Sequence, residues 1–457
     1  MKNHVEKYLD RYAEKGPWKL EAASLRGIRN AVVIPALAEY PTILETLYSL
    51  SLNSPLELAR TLVVCVVNNR VLPHAGEEEV VNNGKTLSVL RSLMRKEGCH
   101  DVEPEDAARI ERILRSEIRL GCVDASSRGL ELPVEGGVGL ARKIGMDLSL
   151  AVLDDKGART GLLLSLDADT LVEPSYLHEI RNYFRRKKAL AAVVSYAHRS
   201  SPDAPVADAI ACYESFLRYY LIGLRYARSP YAFHTIGSTI VSSARGYAMV
   251  RGMPKRLAGE DFYFLNKLTK ISPVGVICGT TVFPSPRISL RTPFGTGNQV
   301  ERLLQDEKSE NHFYDPDTFV VLRDWLALME GQLHLGGDEL LSAAGNIDPF
   351  LKSFLNEIHF PHAWNRLKRN FPLRKNLSAQ LHTWFDGLKT LRLIHFLTEK
   401  KYPKISMVEA VRRVSAMLGT EIPEGRFESG ESAVEILTCL RELEKMLYEP
   451  GRIDITT

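Results

Sequence analysis

From residue 31 onward, short apolar runs alternate with stretches whose apolar residues recur every three or four positions. Such alternation predicts strands followed by helices around a parallel sheet. Ala31-Val32-Val33-Ile34-Pro35 reads as a buried strand, and behind it Ile43, Leu44, Leu47 and Leu50 share one helical face. TLVVCVVNN (61–69) predicts a second strand. A charged insertion, Asp101 to Arg119, carries Ile110, Leu114 and Ile118 at helical spacing. LGCVDAS (120–126) predicts a short third strand, and GGVGLARKIGMDLSLAVL (136–153) a glycine-rich turn entering a helix. GLLLSLDAD (161–169) is the fourth strand, followed by a helix opened by Pro174, and LAAVVSYAH (190–198) is the fifth.

Past about residue 300 the strand-like runs give way to helical stretches such as FVVLRDWLALMEGQL, SAQLHTWFDGLKTLRLIHFLTEK and MVEAVRRVSAML. The expected organisation is a helical extension over 1–27, an α/β domain over 28–298 and a helical C-terminal domain over 299–457. Trp384, Phe385, Leu388, Leu391 and Ile394 fall at helical spacing and predict an interhelical core; sugar stacking by Trp364 or Trp384 is the lesser reading.

Composition narrows the class. A chain of 457 residues with 45% hydrophobic and 25% charged content fits two soluble domains. A formal net charge of +3 is small for this length, so nucleic acid is not an expected partner. The six cysteines are scattered without a C-x-x-C pair and read as buried thiols in a reducing compartment. The N-terminus is charged and lacks an apolar signal core, and no window reaches the length of a membrane span. A cytoplasmic location is expected. The apolar, aromatic stretch Ile210 to Ala227 reads as a buried helix, with peripheral membrane contact as its alternative.

The chemistry concentrates in LLLSLDADTL (162–171). An apolar strand there delivers Asp167 and Asp169 to its carboxyl end, the edge where ligands of a doubly wound sheet collect. Two carboxylates so close repel one another, and a hard divalent cation relieves the repulsion. A helix N-cap and surface turn is the plain alternative.

Two family resemblances attach to these residues. Four apolar residues followed by D-x-D-x-T resemble the first motif of haloacid-dehalogenase-type phosphatases, which implies Asp167 as nucleophile and Asp169 as acid/base. In that family the motif ends the first strand, whereas several strand–helix units precede it here. A second resemblance covers more of the chain. VVIPALAEYPTILETLYSL (32–50) resembles the opening of family 2 glycosyltransferases, and GGVGLARKIGMDLSLA resembles their glycine-rich segment, with Lys143 where asparagine is usual. LLLSLDADTLVEPSYL is similar to their D-x-D element, and IGSTIVSSARGYAMVRGMPKRLAGEDFYFLNKL (236–268) to their acceptor-side segment. The four elements stand in family order over Val32 to Leu268.

This second resemblance implies a GT-A fold and transfer of a sugar from a nucleoside-diphosphate donor, a UDP- or GDP-sugar, to an acceptor hydroxyl. It implies inversion, although the pattern alone does not fix the stereochemistry. A divalent metal, Mn²⁺ or Mg²⁺, would be held by Asp169 directly, with Asp167 contacting the ribose or reaching the metal through water. Asp261 would be the catalytic base, and neighbouring Glu260 together with partial burial would raise its pKa. Pro35, Glu39, Asn68 and Arg142 would line the donor; Asn68 stands where acidic residues are usual, which leaves the nucleotide base open. In PSPRISLRTPFGTGNQ (284–299), Arg287 and Arg291 suit a lid that clamps the diphosphate or an anionic acceptor. His312 is the candidate histidine for the metal shell and His234 a poorer one. A non-catalytic nucleotide-sugar-binding scaffold is the remaining alternative.

Overall fold

The computed structural model describes residues 4–99, 102–153, 160–287, 301, 303, 312–420, 422, 427 and 432–449. The chain forms two compact units. The first comprises Met1–Arg199 and Thr235–Gly295, the second Ser200–His234 and Thr296–Thr457.

The first unit is built on a sheet of β1 (Leu20–Ala22), β2 (Asn30–Ala36), β3 (Thr61–Asn68), β4 (Arg119–Ala125), β5 (Leu162–Ser165), β6 (Leu171–Val172), β7 (Ala191–Tyr196), β8 (Ile240–Ser243) and β9 (Val274–Phe283). Their spatial order is β1-β4-β3-β2-β5-β8-β7-β9-β6. β2, β3, β4, β5, β7 and β9 share one direction, and β1, β6 and β8 run against them. The α/β class with a mostly parallel sheet is thus as expected. Every residue of β3 is buried, as a strand covered on both faces must be.

Residues the sequence left inside a helical extension divide differently. His4–Arg11 is a helix, whereas Leu20–Ala22 is an edge strand antiparallel to β4. Its Glu21 is held by Arg91, which donates from Nε at 2.9 Å and from Nη2 at 2.7 Å. The antiparallel β8 was also unforeseen: in IVSS only two residues are aliphatic, and partners on both sides complete it. The helix Val138–Val152 lies on β2 and β3, and Gly145 lets it close in. A Cβ there would stand 2.5 Å from Val33 Cγ1 and 2.7 Å from Val66 Cγ2.

The second unit is helical. Ala204–Tyr226 opens with Asp203 capping Val206 N–H at 3.1 Å. It buries Tyr219, Ile222 and Leu224 in one core with Phe319, Trp325, Phe354, Phe360, Trp364 and Phe385. Trp364 is fully buried and donates to Leu335 O at 3.0 Å, and Trp384 packs against Phe360 with ring centroids 5.6 Å apart. The core reading of these tryptophans stands; Leu388, expected with them, is exposed. No helix among the described residues is long and apolar enough to cross a membrane. Cys65, Cys122 and Cys439 are buried, while Cys278 on β9 is exposed.

Candidate functional site

The order β4-β3-β2-β5 places a switch point between β2 and β5, because the chain moves to one side of β2 through β3 and β4 and then resumes on the other. The β2–β5 ladder ends at Val33 opposite Ser165, while β2 stays paired with β3 to Ala36. Beyond that last pair come Pro35 and Glu39 on one side and Asp167 and Asp169 on the other. A crevice at the carboxyl ends of parallel strands follows from the topology alone.

Glu39 is fixed by its loop. Ala38 adopts φ 52°, a left-handed conformation uncommon for alanine. It is held because Ala38 N–H donates to Asn83 Oδ1 at 2.9 Å and Tyr40 N–H to Asn82 Oδ1 at 2.9 Å. Asn83 Nδ2 also donates to Asn68 O at 3.1 Å and to Asn69 Oδ1 at 3.0 Å. One turn of the helix Glu77–Met94 therefore ties the end of β2 to the end of β3. Asn68 is 6% exposed, and its Oδ1 accepts no hydrogen bond among the described residues. A neighbouring acid, Asp124 at the end of β4, is committed to its own turn: it accepts from Ser126 N, Ser127 N and Ser127 Oγ at 3.1, 2.9 and 2.7 Å. Those bonds hold its carboxyl below the ordinary aspartate range despite burial.

Two arginines organise the remaining acids. Arg142, 4% exposed, donates from Nη2 to Asp167 Oδ1 and from Nη1 to Glu260 Oε1. Ser238 Oγ donates to Asp167 Oδ2 at 2.5 Å, and Thr170 Oγ1 lies 3.1 Å from the same hydroxyl. Gly237 lies against this guanidinium, and a Cβ there would stand 2.4 Å from Nη2 and force the arginine to shift. The expectation of Arg142 toward the donor thus meets a side chain whose two terminal nitrogens already face carboxylates.

Arg287 forms the second node. Its Nε lies 2.8 Å from Asp169 Oδ2, and its Nη2 donates to Glu39 Oε1 at 2.5 Å. Burial pushes the Asp169 carboxyl up to about 6; Arg287 opposes that rise, and the charges of Asp167 and Glu39 add to it. The backbone around Asp169 is clamped as well. Thr46 Oγ1 donates to Ala168 O at 2.8 Å, and Arg199 donates to Asp169 O at 3.2 Å and to Glu45 Oε2 at 3.1 Å.

Asp261 lies in the first turn of the helix Glu260–Thr269, entered through Gly259 at φ +71°. Its Oδ1 accepts from Phe262 N–H at 2.7 Å. Burial raises its carboxyl above the ordinary range, Arg142 pulls it back, and the charge of Asp167 raises it again. Glu260, expected to supply that push, is instead the ion partner of Arg142.

The glycine-rich turn owes its composition to packing. A Cβ on Gly139 would stand 2.6 Å from Arg256 O and 2.7 Å from Pro254 O, and one on Gly137 2.9 Å from Leu257 Cα. The turn therefore seats the segment that leads into Glu260 and Asp261. Lys143 has a structural partner set: it donates to Tyr8 Oη at 2.6 Å and to Asp147 Oδ2 at 2.8 Å, while Tyr247 donates to Asp147 Oδ1 at 2.7 Å. That buried network anchors the N-terminal helix.

Other candidates lie elsewhere. His312 is in the second unit, opposite Ser406 in a two-residue ladder. His234, also in that unit, contacts Glu444 Oε1 at 3.0 Å. Arg291 lies outside the described residues. Among the described residues no group of three or more His, Cys, Asp or Glu is arranged to hold a metal by itself. The sequence reading missed Ser238, Arg199, Thr46 and the Asn82-Asn83 pair. Ser238 and Thr46 lay inside segments already singled out.

No family model matches the sequence, and no curated protein matches it. Solved structures offer remote likenesses. Staphylococcus aureus TarS 1–349 in complex with UDP-GlcNAc aligns at 14% identity over 74% of this chain and 88% of its own, with a TM-score of 0.36. The mannosyltransferase PcManGT from Pyrobaculum calidifontis, in complex with GDP-Man and Mn²⁺, aligns at 12% identity over 98% and 95%, with a TM-score of 0.34. Likeness at this level assigns neither fold family nor activity to this chain.

Proposed function

We propose that the first unit is a GT-A-like glycosyltransferase that moves a sugar from a nucleoside-diphosphate donor to an acceptor hydroxyl, with inversion. The observation that carries this reading is the Arg142 bridge. It joins the D-x-D turn after β5 to the Glu260-Asp261 turn, residues far apart in sequence but adjacent at one switch point. A donor-side acid and a candidate base then border one crevice, as group transfer between two bound substrates requires.

Asp169 fits a shared cation, since its hard oxygens sit at the strand edge and Mg²⁺ commonly takes one or two carboxylates plus substrate phosphates. Such an ion, when bound, offsets the negative charge that gathers on the leaving diphosphate. Asp167, oriented by Arg142 and Ser238, faces the donor beside it. Asn68 offers an acceptor oxygen to the nucleotide base, and Pro35 and Glu39 border the same side. Asp261 receives the acceptor's proton as its hydroxyl attacks the anomeric carbon, and the diphosphate departs on the opposite face.

The phosphatase reading has less support. Both oxygens of Asp167 already accept hydrogen bonds from Arg142 and Ser238, which blunts it as a nucleophile. Thermal shift with UDP, GDP and ADP, each with and without Mn²⁺, tests the proposal. A metal-dependent rise with one nucleotide is expected by binding linkage; no shift with any of them sinks the donor assignment.

A further inference from the structure

We propose that Arg287 holds the cation position at the β2/β5 switch point in the donor-free protein, so that a divalent metal binds tightly only after a diphosphate has drawn the guanidinium away. This rests on the reading of Asp169 as the metal carboxylate of the donor site.

The geometry is that of a cation placed between two acids. One guanidinium spans Asp169 Oδ2 at 2.8 Å and Glu39 Oε1 at 2.5 Å, acids delivered by two neighbouring strand ends. The two acid side chains are 17% and 8% exposed, whereas the arginine that spans them is 33% exposed. A metal ion on Asp169 would stand beside the Arg287 guanidinium, cation against cation, and each satisfies the same local excess of negative charge. Free metal must therefore compete with a tethered cation already in place.

Arg287 is also suited to leave. Its side chain is 33% exposed, against 4% for Arg142, and it follows β9 rather than standing inside a helix. A diphosphate offers phosphate oxygens that match the planar fork as well as a carboxylate does. The exchange then frees Asp169 at the moment the phosphates that share the metal arrive. Donor and metal bind as a unit, and the metal-free, donor-free crevice stays electrically balanced.

The test is Mn²⁺ binding, read from the free-ion paramagnetic resonance signal, on the full chain and its Arg287→Ala and Arg287→Lys variants. Each is titrated with Mn²⁺ alone and with saturating UDP, GDP or ADP. Wild type is expected to bind Mn²⁺ weakly alone and about tenfold or more tightly with the productive nucleotide. Arg287→Ala is expected to bind Mn²⁺ alone about tenfold more tightly than wild type, with most of the nucleotide dependence gone. Arg287→Lys, which keeps the charge but not the fork, should fall between them. Equal or weaker binding of Mn²⁺ alone by Arg287→Ala, while wild type still shows nucleotide-dependent binding, overturns the inference and leaves the donor site standing. Mn²⁺ binding that survives Asp169→Asn, or that no nucleotide promotes in wild type, overturns the underlying site assignment and the inference with it.

Discussion

Arg142 and Arg287 each bridge two acids at the same sheet edge, yet they differ in burial. Arg142 is locked between Asp167 and Glu260 at 4% side-chain exposure, with Gly237 pressed against it. Arg287 lies between Asp169 and Glu39 at 33% exposure. The difference teaches that the same ion pair is a strut when dry and an exchangeable contact when partly wet. Breaking a dry pair strands a charge, whereas water can take over from a wet one. On the proposed reading, the first arginine fixes where the two halves of the site meet and the second answers a ligand.

The largest expected effect lies beside the strut. Asp261→Asn should lower kcat by about 10²–10⁴-fold, the usual worth of a general base, with nucleotide affinity nearly unchanged. Steady-state kinetics and a nucleotide titration check this; lost affinity would move Asp261 to the donor side. Its raised carboxyl also sets a pH signature. The base must be ionised, so kcat/KM should fall as pH drops through a pKa above the ordinary aspartate value. The sign for stability is the opposite: a raised folded-state pKa favours folding at low pH and loses that contribution as pH rises.

Next comes Arg142→Met, which leaves Glu260 buried without its cation and should cost about 3–5 kcal/mol in urea unfolding. Gly237→Ala should act on the same strut through crowding, costing about 1–3 kcal/mol. Smallest is Arg287→Met, expected at about 1 kcal/mol because the arginine itself is 33% exposed and water can enter where it leaves. Comparable losses for Arg142→Met and Arg287→Met would erase the distinction between strut and exchangeable contact.

Much of the first unit was legible because its strands are continuous apolar runs: TLVVCVVN can only be a buried strand, and it is buried throughout. β1 and β8 were not legible, since Leu20-Glu21-Ala22 and Ile240-Val241-Ser242-Ser243 gain their strand character from neighbours. Within the site, Asp167, Asp169 and the Glu260-Asp261 pair stood out as acids at element boundaries, and the structure brings Asp167 and Glu260 to one arginine. Their supports did not stand out. Ser238, Thr46 and Asn83 act through hydrogen bonds that reach across 71, 122 and 45 positions of chain, and no local pattern marks such bonds. Lys143 was read as a departure from a motif, whereas its partners Tyr8 and Asp147 make it an internal anchor.

Donor turnover tests the central claim most directly. The purified chain is incubated with Mn²⁺ and UDP-, GDP- or ADP-sugars, and nucleoside diphosphate release is followed for wild type and Asp169→Asn. The account predicts release from one donor class, lost in Asp169→Asn. No release from any donor, together with phosphate release from a simple phosphomonoester that Asp167→Asn abolishes, would contradict it.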